Sequence, residues 1–110
     1  MTRITLFWGK ESLLGLESRG HSGQGEKGED IVCAAVSALV QALLLGIKDV
    51  ARMSEGVKCD IDAKVPLIRV EWTEKEAPNL DLLTRTVALS LKEIASGYSG
   101  YVSISEVYVS

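Results

Sequence analysis

Histidine occurs once in these 110 residues, and cysteine and proline twice each. One histidine and two cysteines supply at most three nitrogen and sulfur ligands. They lack paired C-x-x-C spacing, so neither a metal nor a cofactor is expected. Two cysteines do not make a disulfide framework, and both thiols are expected to stay reduced, with the cytoplasm as the default location. Excess positive charge is missing too. The net charge is −3 and no basic stripe is visible, which argues against direct nucleic-acid binding. The N-terminal "MTRITLFWGKES" has only a short alternating apolar run before Gly9, Lys10 and Glu11, so it reads as strand and turn rather than as a signal peptide. The longest apolar stretch, Ile31 to Ile47, is interrupted by Cys33, Ser37 and Gln41. It is short for a membrane span and is read as a core helix, with no membrane as partner.

What is present is an ordinary globular composition, 46% hydrophobic and 25% charged, of a length that suits one domain over 1–110. Arg3 to Trp8 alternates, with Ile4, Leu6 and Trp8 on one face and Thr5 and Phe7 on the other. Leu13 to Gly20 alternates again, with Leu14 and Leu16 opposite Glu17 and Arg19, so the two runs read as a hairpin across Gly9–Ser12. Asp30 is a plausible N-cap for a helix from Ile31 to about Val50. Val57 to Ala63 and Leu67 to Thr73 form a second hairpin, with Val57, Cys59, Ile61 and Ala63 sharing a face. Pro78 and Asn79 open a second helix with the stripe Leu80, Leu83, Val87, Leu91 and Ile94. Gly97 ends it, and Tyr101 to Val109 is a last strand. The reading is an α+β domain of order β-β-α-β-β-α-β, a largely antiparallel five-stranded sheet packed against two helices. The first helix is apolar on almost every side. One sheet covers only part of it, so the second helix or a second copy of the chain must cover the rest.

The chemistry concentrates in Gly20 to Ser37. With Asp30 as cap, Cys33 falls in the first helical turn, where unpaired N–H groups and the helix dipole favour a thiolate and can serve an oxyanion. The alternative is a small buried hydrophobe between Val32 and Ala34. His21, flanked by Gly20 and Ser22, is either a base for that thiol or an inert surface histidine. Gly23-Gln24-Gly25-Glu26-Lys27-Gly28 spells G-x-G-x-x-G. A dinucleotide site is rejected, because Glu26, Glu29 and Asp30 would face the pyrophosphate and no βαβ series follows. Glutamate also stands where a phosphate loop needs lysine. Gly20, Ser22, Gly23, Gly25 and Gly28 instead read as a substrate loop that the glycines make pliant. Ser37 lies one turn beyond Cys33, either near the site or as a small packing residue. Trp8, Trp72, Tyr98 and Tyr101 are groove liners or ordinary core and edge packing.

The stretch "GHSGQGEKGEDIVCAAVSAL" resembles the ribosomal-processing cysteine proteases (Prp). Gly20, His21, Gly28, Asp30, Ile31, Val32, Cys33, Ala34, Ala35, Val36, Ser37, Ala38 and Leu39 match the family's pattern, with the His-to-Cys spacing kept. Ser22 departs from it, where alanine is usual. The resemblance implies an endopeptidase that removes the N-terminal extension of the bacterial large-subunit ribosomal protein twenty-seven, with Cys33 as nucleophile and His21 as base. It also implies a homodimer, which would cover the apolar helix. Asp30 then either orients His21 or simply caps the helix. The competing reading is a non-catalytic ribosome-assembly or peptide-binding module using the same groove.

Overall fold

The computed structural model describes residues 1–20, 27–62, 64 and 67–109, with the backbone alone for 27–30. Its elements are β1 (Thr2–Trp8), β2 (Leu13–Gly20), α1 (Lys27–Leu45) continued by a π-helical turn (Gly46–Val50), β3 (Val57–Asp62), β4 (Leu67–Trp72), α2 (Ala77–Gly97) and β5 (Val102–Tyr108). The sheet order is β3-β4-β2-β1-β5. Three neighbouring pairs are antiparallel, and β5 lies parallel to β1 with Thr2 opposite Val102. The fold is therefore the expected α+β arrangement, with a mixed and mostly antiparallel sheet.

Period-two patterning sorts the sheet's faces. Ile4, Leu6, Leu16, Val70, Trp72 and Val102 turn inward and join Val32, Val36, Val40, Leu43 and Ile47 of the first helix and Leu80, Val87 and Leu91 of α2 in one core. The other face is polar. There Arg69 pairs with Glu71 at 3.0 Å and with Glu17 at 3.8 Å, and its guanidinium stacks 4.6 Å from the Phe7 ring centre. One expectation shifts in β2. The register slips between Phe7 and Trp8, so Leu13 rather than Leu14 enters the core together with Leu16. A bulge adds one residue to a strand and so reverses the alternation beyond it. The buried Trp72 indole secures this corner by donating to the Leu13 carbonyl at 2.7 Å.

The first helix begins at Lys27, four residues earlier than expected, and this corrects two readings. Asp30 is not its N-cap but lies inside its first turns, and Gly28 belongs to the helix rather than to the loop. Acidic residues suit the positive end of a helix as well as they suit a cap, so Glu29 and Asp30 fit both positions and the local sequence does not separate them. The far end agrees with expectation, since helical backbone runs on through Val50. At Gly46 a Cβ would stand 2.6 Å from Leu83 Cδ2, so the missing side chain lets α2 pack closely here.

By length and composition, Ile31–Val50 is the one helix among the described residues able to cross a membrane. In the fold one side of it is core. The opposite side, Ile31, Ala34, Ala35, Ala38, Ala42 and Leu45, is exposed in the single chain and carries no charge. α2 thus covers only a flank. Beside this face, the C-terminal half of α1 and the edge strand β3 enclose an apolar groove of about 550 Å³, lined by Leu44, Leu45, Met53, Val57, Cys59 and Ile61.

Candidate active site

Cys33 is the seventh residue of α1 and 5% exposed. Six residues separate it from the helix start, a rise of about 9 Å, and its N–H falls inside the i→i−4 ladder. The dipole acts within the first turn, so the helix end contributes less to this thiol than a cap at Asp30 would have allowed.

What the sulfur does meet is the start of β1. Thr2 Oγ1 lies 3.1 Å from Cys33 Sγ in a buried hydrogen bond across 31 residues of chain. Thr2 shares the inward phase of Ile4 and Leu6, and is 6% exposed. Its position is held from both sides. It pairs with Gly20 of β2 and Val102 of β5, and its N–H donates to the Tyr101 carbonyl at 2.9 Å. Gly20 is required at this crossing. A Cβ there would stand 2.7 Å from the Met1 carbonyl oxygen and 2.8 Å from Thr2 Cα, both backbone atoms that cannot step aside. Three elements therefore converge on one corner: the first helix brings a thiol, β1 a hydroxyl, and β2 the residue that immediately precedes His21.

His21, Ser22, Gly23 and Gly25 lie outside the described residues, as does the side chain of Asp30. Ser37 is exposed one turn beyond Cys33, and Gln41 a further turn on lines the apolar groove. Of the three residues that interrupt the apolar stretch, Cys33 is thus in the core while Ser37 and Gln41 lie outside it. The aromatic residues divide between core and edge. Trp72 is buried. Trp8 donates to Glu106 Oε1 at 3.1 Å, with the Lys92 ammonium 6.0 Å from its ring centre. Tyr101 packs against the core and Tyr98 is 52% exposed. Sequence reasoning missed Thr2. Its signal was present, since Thr2 is in phase with Ile4, Leu6 and Trp8, but phase alone does not say which helix residue lies above it.

The second thiol differs in kind. Cys59 is exposed on the edge strand, and partial desolvation, then the Asp60 carboxylate, push its pKa up against an opposing pull from Lys48. Such a thiol is a poor nucleophile at neutral pH. Among the described residues no group of three or more His, Cys, Asp or Glu is placed to hold a metal ion.

Comparison with known proteins gives one consistent answer. A family model described as cysteine protease Prp matches residues 1–103. The ribosomal processing cysteine protease Prp of Mycoplasma pneumoniae is 30% identical over 91 residues, spanning 83% of this chain and 85% of that protein. Its Mycoplasma genitalium counterpart is 28% identical over 91 residues, spanning 83% and 86%. Among solved structures, a Streptococcus mutans protein superposes with a TM-score of 0.86 at 26% identity over 99% of each chain. The essential ribosomal processing protease Prp from S. aureus, in complex with a substrate peptide, superposes with a TM-score of 0.84 at 21% identity, over 97% of this chain and all of that one. The buried thiol at the convergence of α1, β1 and β2 is thus set in a chain that belongs to the Prp family of cysteine proteases.

Proposed function

We propose that residues 1–110 act as one ribosomal-processing endopeptidase domain, with Cys33 as nucleophile and His21 as base. Its substrate is the N-terminal extension of the bacterial large-subunit ribosomal protein twenty-seven, and its place of action the cytoplasm. The observation that carries this reading is the corner itself. The Cys33 sulfur is hydrogen-bonded to Thr2, and Thr2 is paired with Gly20, the covalent neighbour of His21. Paired strands lie about 5 Å apart and successive Cα atoms about 3.8 Å apart, so the tether to Gly20 is short enough to allow a dyad between residues 21 and 33, which supports this reading. The S. aureus relative has been captured with a substrate peptide and with a covalently linked product peptide, which supports a peptide substrate and covalent catalysis here.

The steps follow from the residues. His21 takes the proton from Cys33 Sγ. The thiolate adds to the scissile carbonyl carbon, and the carbonyl π pair moves onto oxygen. Backbone N–H groups hold that oxyanion. The oxyanion collapses, the C–N bond breaks, and the His21 imidazolium protonates the departing amine. The acyl group remains as a thioester on Cys33. His21 then takes a proton from water, hydroxide adds to the thioester carbonyl, and loss of the thiolate frees the carboxylate product.

The same reading includes a homodimer. The uncharged outer side of α1 and the neighbouring, mostly apolar groove, with Gln41, Lys48 and Ser54 among its lining, form a surface that a second copy would cover. The deciding experiment is incubation with the extended ribosomal protein, read by intact mass. Wild type should release the extension, and Cys33→Ala and His21→Ala should lose at least about 10³-fold in rate. Cleavage that survives in Cys33→Ala overturns the assignment. Binding of the extension without cleavage by wild type would identify a non-catalytic module instead.

A further inference from the structure

We infer that Thr2 is a positioning residue for the nucleophile, an inference that rests on the assignment of Cys33 above. Two buried side chains from different elements meet in a hydrogen bond, Thr2 Oγ1 to Cys33 Sγ at 3.1 Å. Threonine is β-branched and stiff at χ1, and its backbone is fixed by the Tyr101 carbonyl and by strands on both sides. The hydroxyl is therefore held at one place and serves the sulfur there.

A hydroxyl carries one hydrogen and two acceptor lone pairs, so it is satisfied opposite either state of the sulfur. Opposite the thiol it can accept from S–H or donate to sulfur. Opposite the thiolate, which has no hydrogen, it can only donate. The bond to the ionised sulfur is charge-assisted and stronger than the neutral one. Thr2 thus favours the attacking form of Cys33 and fixes the side from which that sulfur is held. It touches the nucleophile, so it acts through Cys33.

The test is the rate of iodoacetamide alkylation of Cys33 against pH, in a Cys59→Ser background so that one thiol reports. Thr2→Val keeps the branched shape and removes the hydroxyl. Its pH–rate profile should move up by about one unit, a loss of about tenfold on the acid side of the wild-type midpoint, and should rejoin wild type at high pH where every thiol is ionised. Thr2→Ser should restore the rate to within about threefold. In peptide cleavage, kcat should fall for Thr2→Val with KM unchanged. A Thr2→Val profile that coincides with wild type overturns the inference. So does one lowered by the same factor at every pH, which would report altered access, or a Thr2→Ser variant as impaired as Thr2→Val. Should Thr2→Val fail to fold, Thr2→Ala takes its place with the same expected shift and the same refuting outcomes. These results are separable from the fate of the protease assignment. If wild-type Cys33 shows no excess reactivity, that assignment fails. If it does and Thr2→Val matches it, only the role of Thr2 fails.

Discussion

Competition between the two thiols tests the site without any substrate, because burial and activation predict opposite outcomes. Cys33 is 5% exposed, and Cys59 sits open on the edge strand. If reactivity followed access, iodoacetamide would take Cys59 first. The proposed dyad reverses the order, and pH shows why. A free thiol ionises near pH 8.5, so about 3% is thiolate at pH 7 and the fraction falls tenfold with each further unit. Cys59, with its pKa pushed up, follows that slope from a lower start. In the proposed dyad, a thiolate paired with an imidazolium would stay ionised over the same range. Its lower basicity costs a constant factor in intrinsic nucleophilicity, and its burial costs another, but neither factor depends on pH. The ratio of the Cys33 to the Cys59 rate should therefore rise about tenfold for each unit from pH 8 to pH 6. Peptide mapping after timed alkylation of folded protein measures both rates in one sample. A ratio that stays flat across this range would show two thiols titrating together, and the dyad would be abandoned. Labelling of Cys33 only on unfolding would have the same force.

Three further outcomes are expected. Gly20→Ala places a methyl group against the Met1 and Thr2 backbone and should cost about 1–3 kcal/mol in urea unfolding, and an unchanged midpoint would show that β1 and β2 are less tightly apposed at this end. The Lys92 ammonium, 2.7 Å from Glu106 Oε1, together with the Trp8 indole, holds the Glu106 carboxyl below its usual pKa against slight desolvation. A depressed folded pKa gives stability that is complete above the unfolded value and lost as pH falls through the folded one. Glu106→Gln should therefore lower Tm slightly at pH 7, by less than the equivalent of about 1 kcal/mol for so exposed a pair, and not at all at pH 2, and an equal loss at both values would assign the effect to packing. Ala38→Asp, in the middle of the exposed apolar side of α1, should leave the far-ultraviolet circular dichroism unchanged and convert a dimer to monomer in sedimentation, and a wild type already monomeric at tens of micromolar would refute the dimer.

Much of the fold was legible because strands and helices announce themselves in short-range periodicity. Ile4–Leu6–Trp8 placed β1, and Leu80–Val87–Leu91 placed α2 with Pro78 at its start and Gly97 at its end. Failures came where local chemistry serves two positions equally. Glu29 and Asp30 suit a first turn as well as a cap, and the helix start moved to Lys27. Leu13 and Leu14 are equally apolar, and only the slipped register against β1 decides which of them is core.

By itself the sequence determined which segments are strand or helix, which face of each is apolar, and, through one long signature, which histidine and cysteine to examine. Tertiary structure alone decided that β5 runs parallel beside β1, that the outer side of α1 stays uncovered within one chain, and that Thr2 rather than a helix end meets the thiol. The reason is separation along the chain. Periodicity reports a residue's neighbours within a few positions, whereas the contact between residues 2 and 33 exists only after two strands have paired and a helix has packed across their ends.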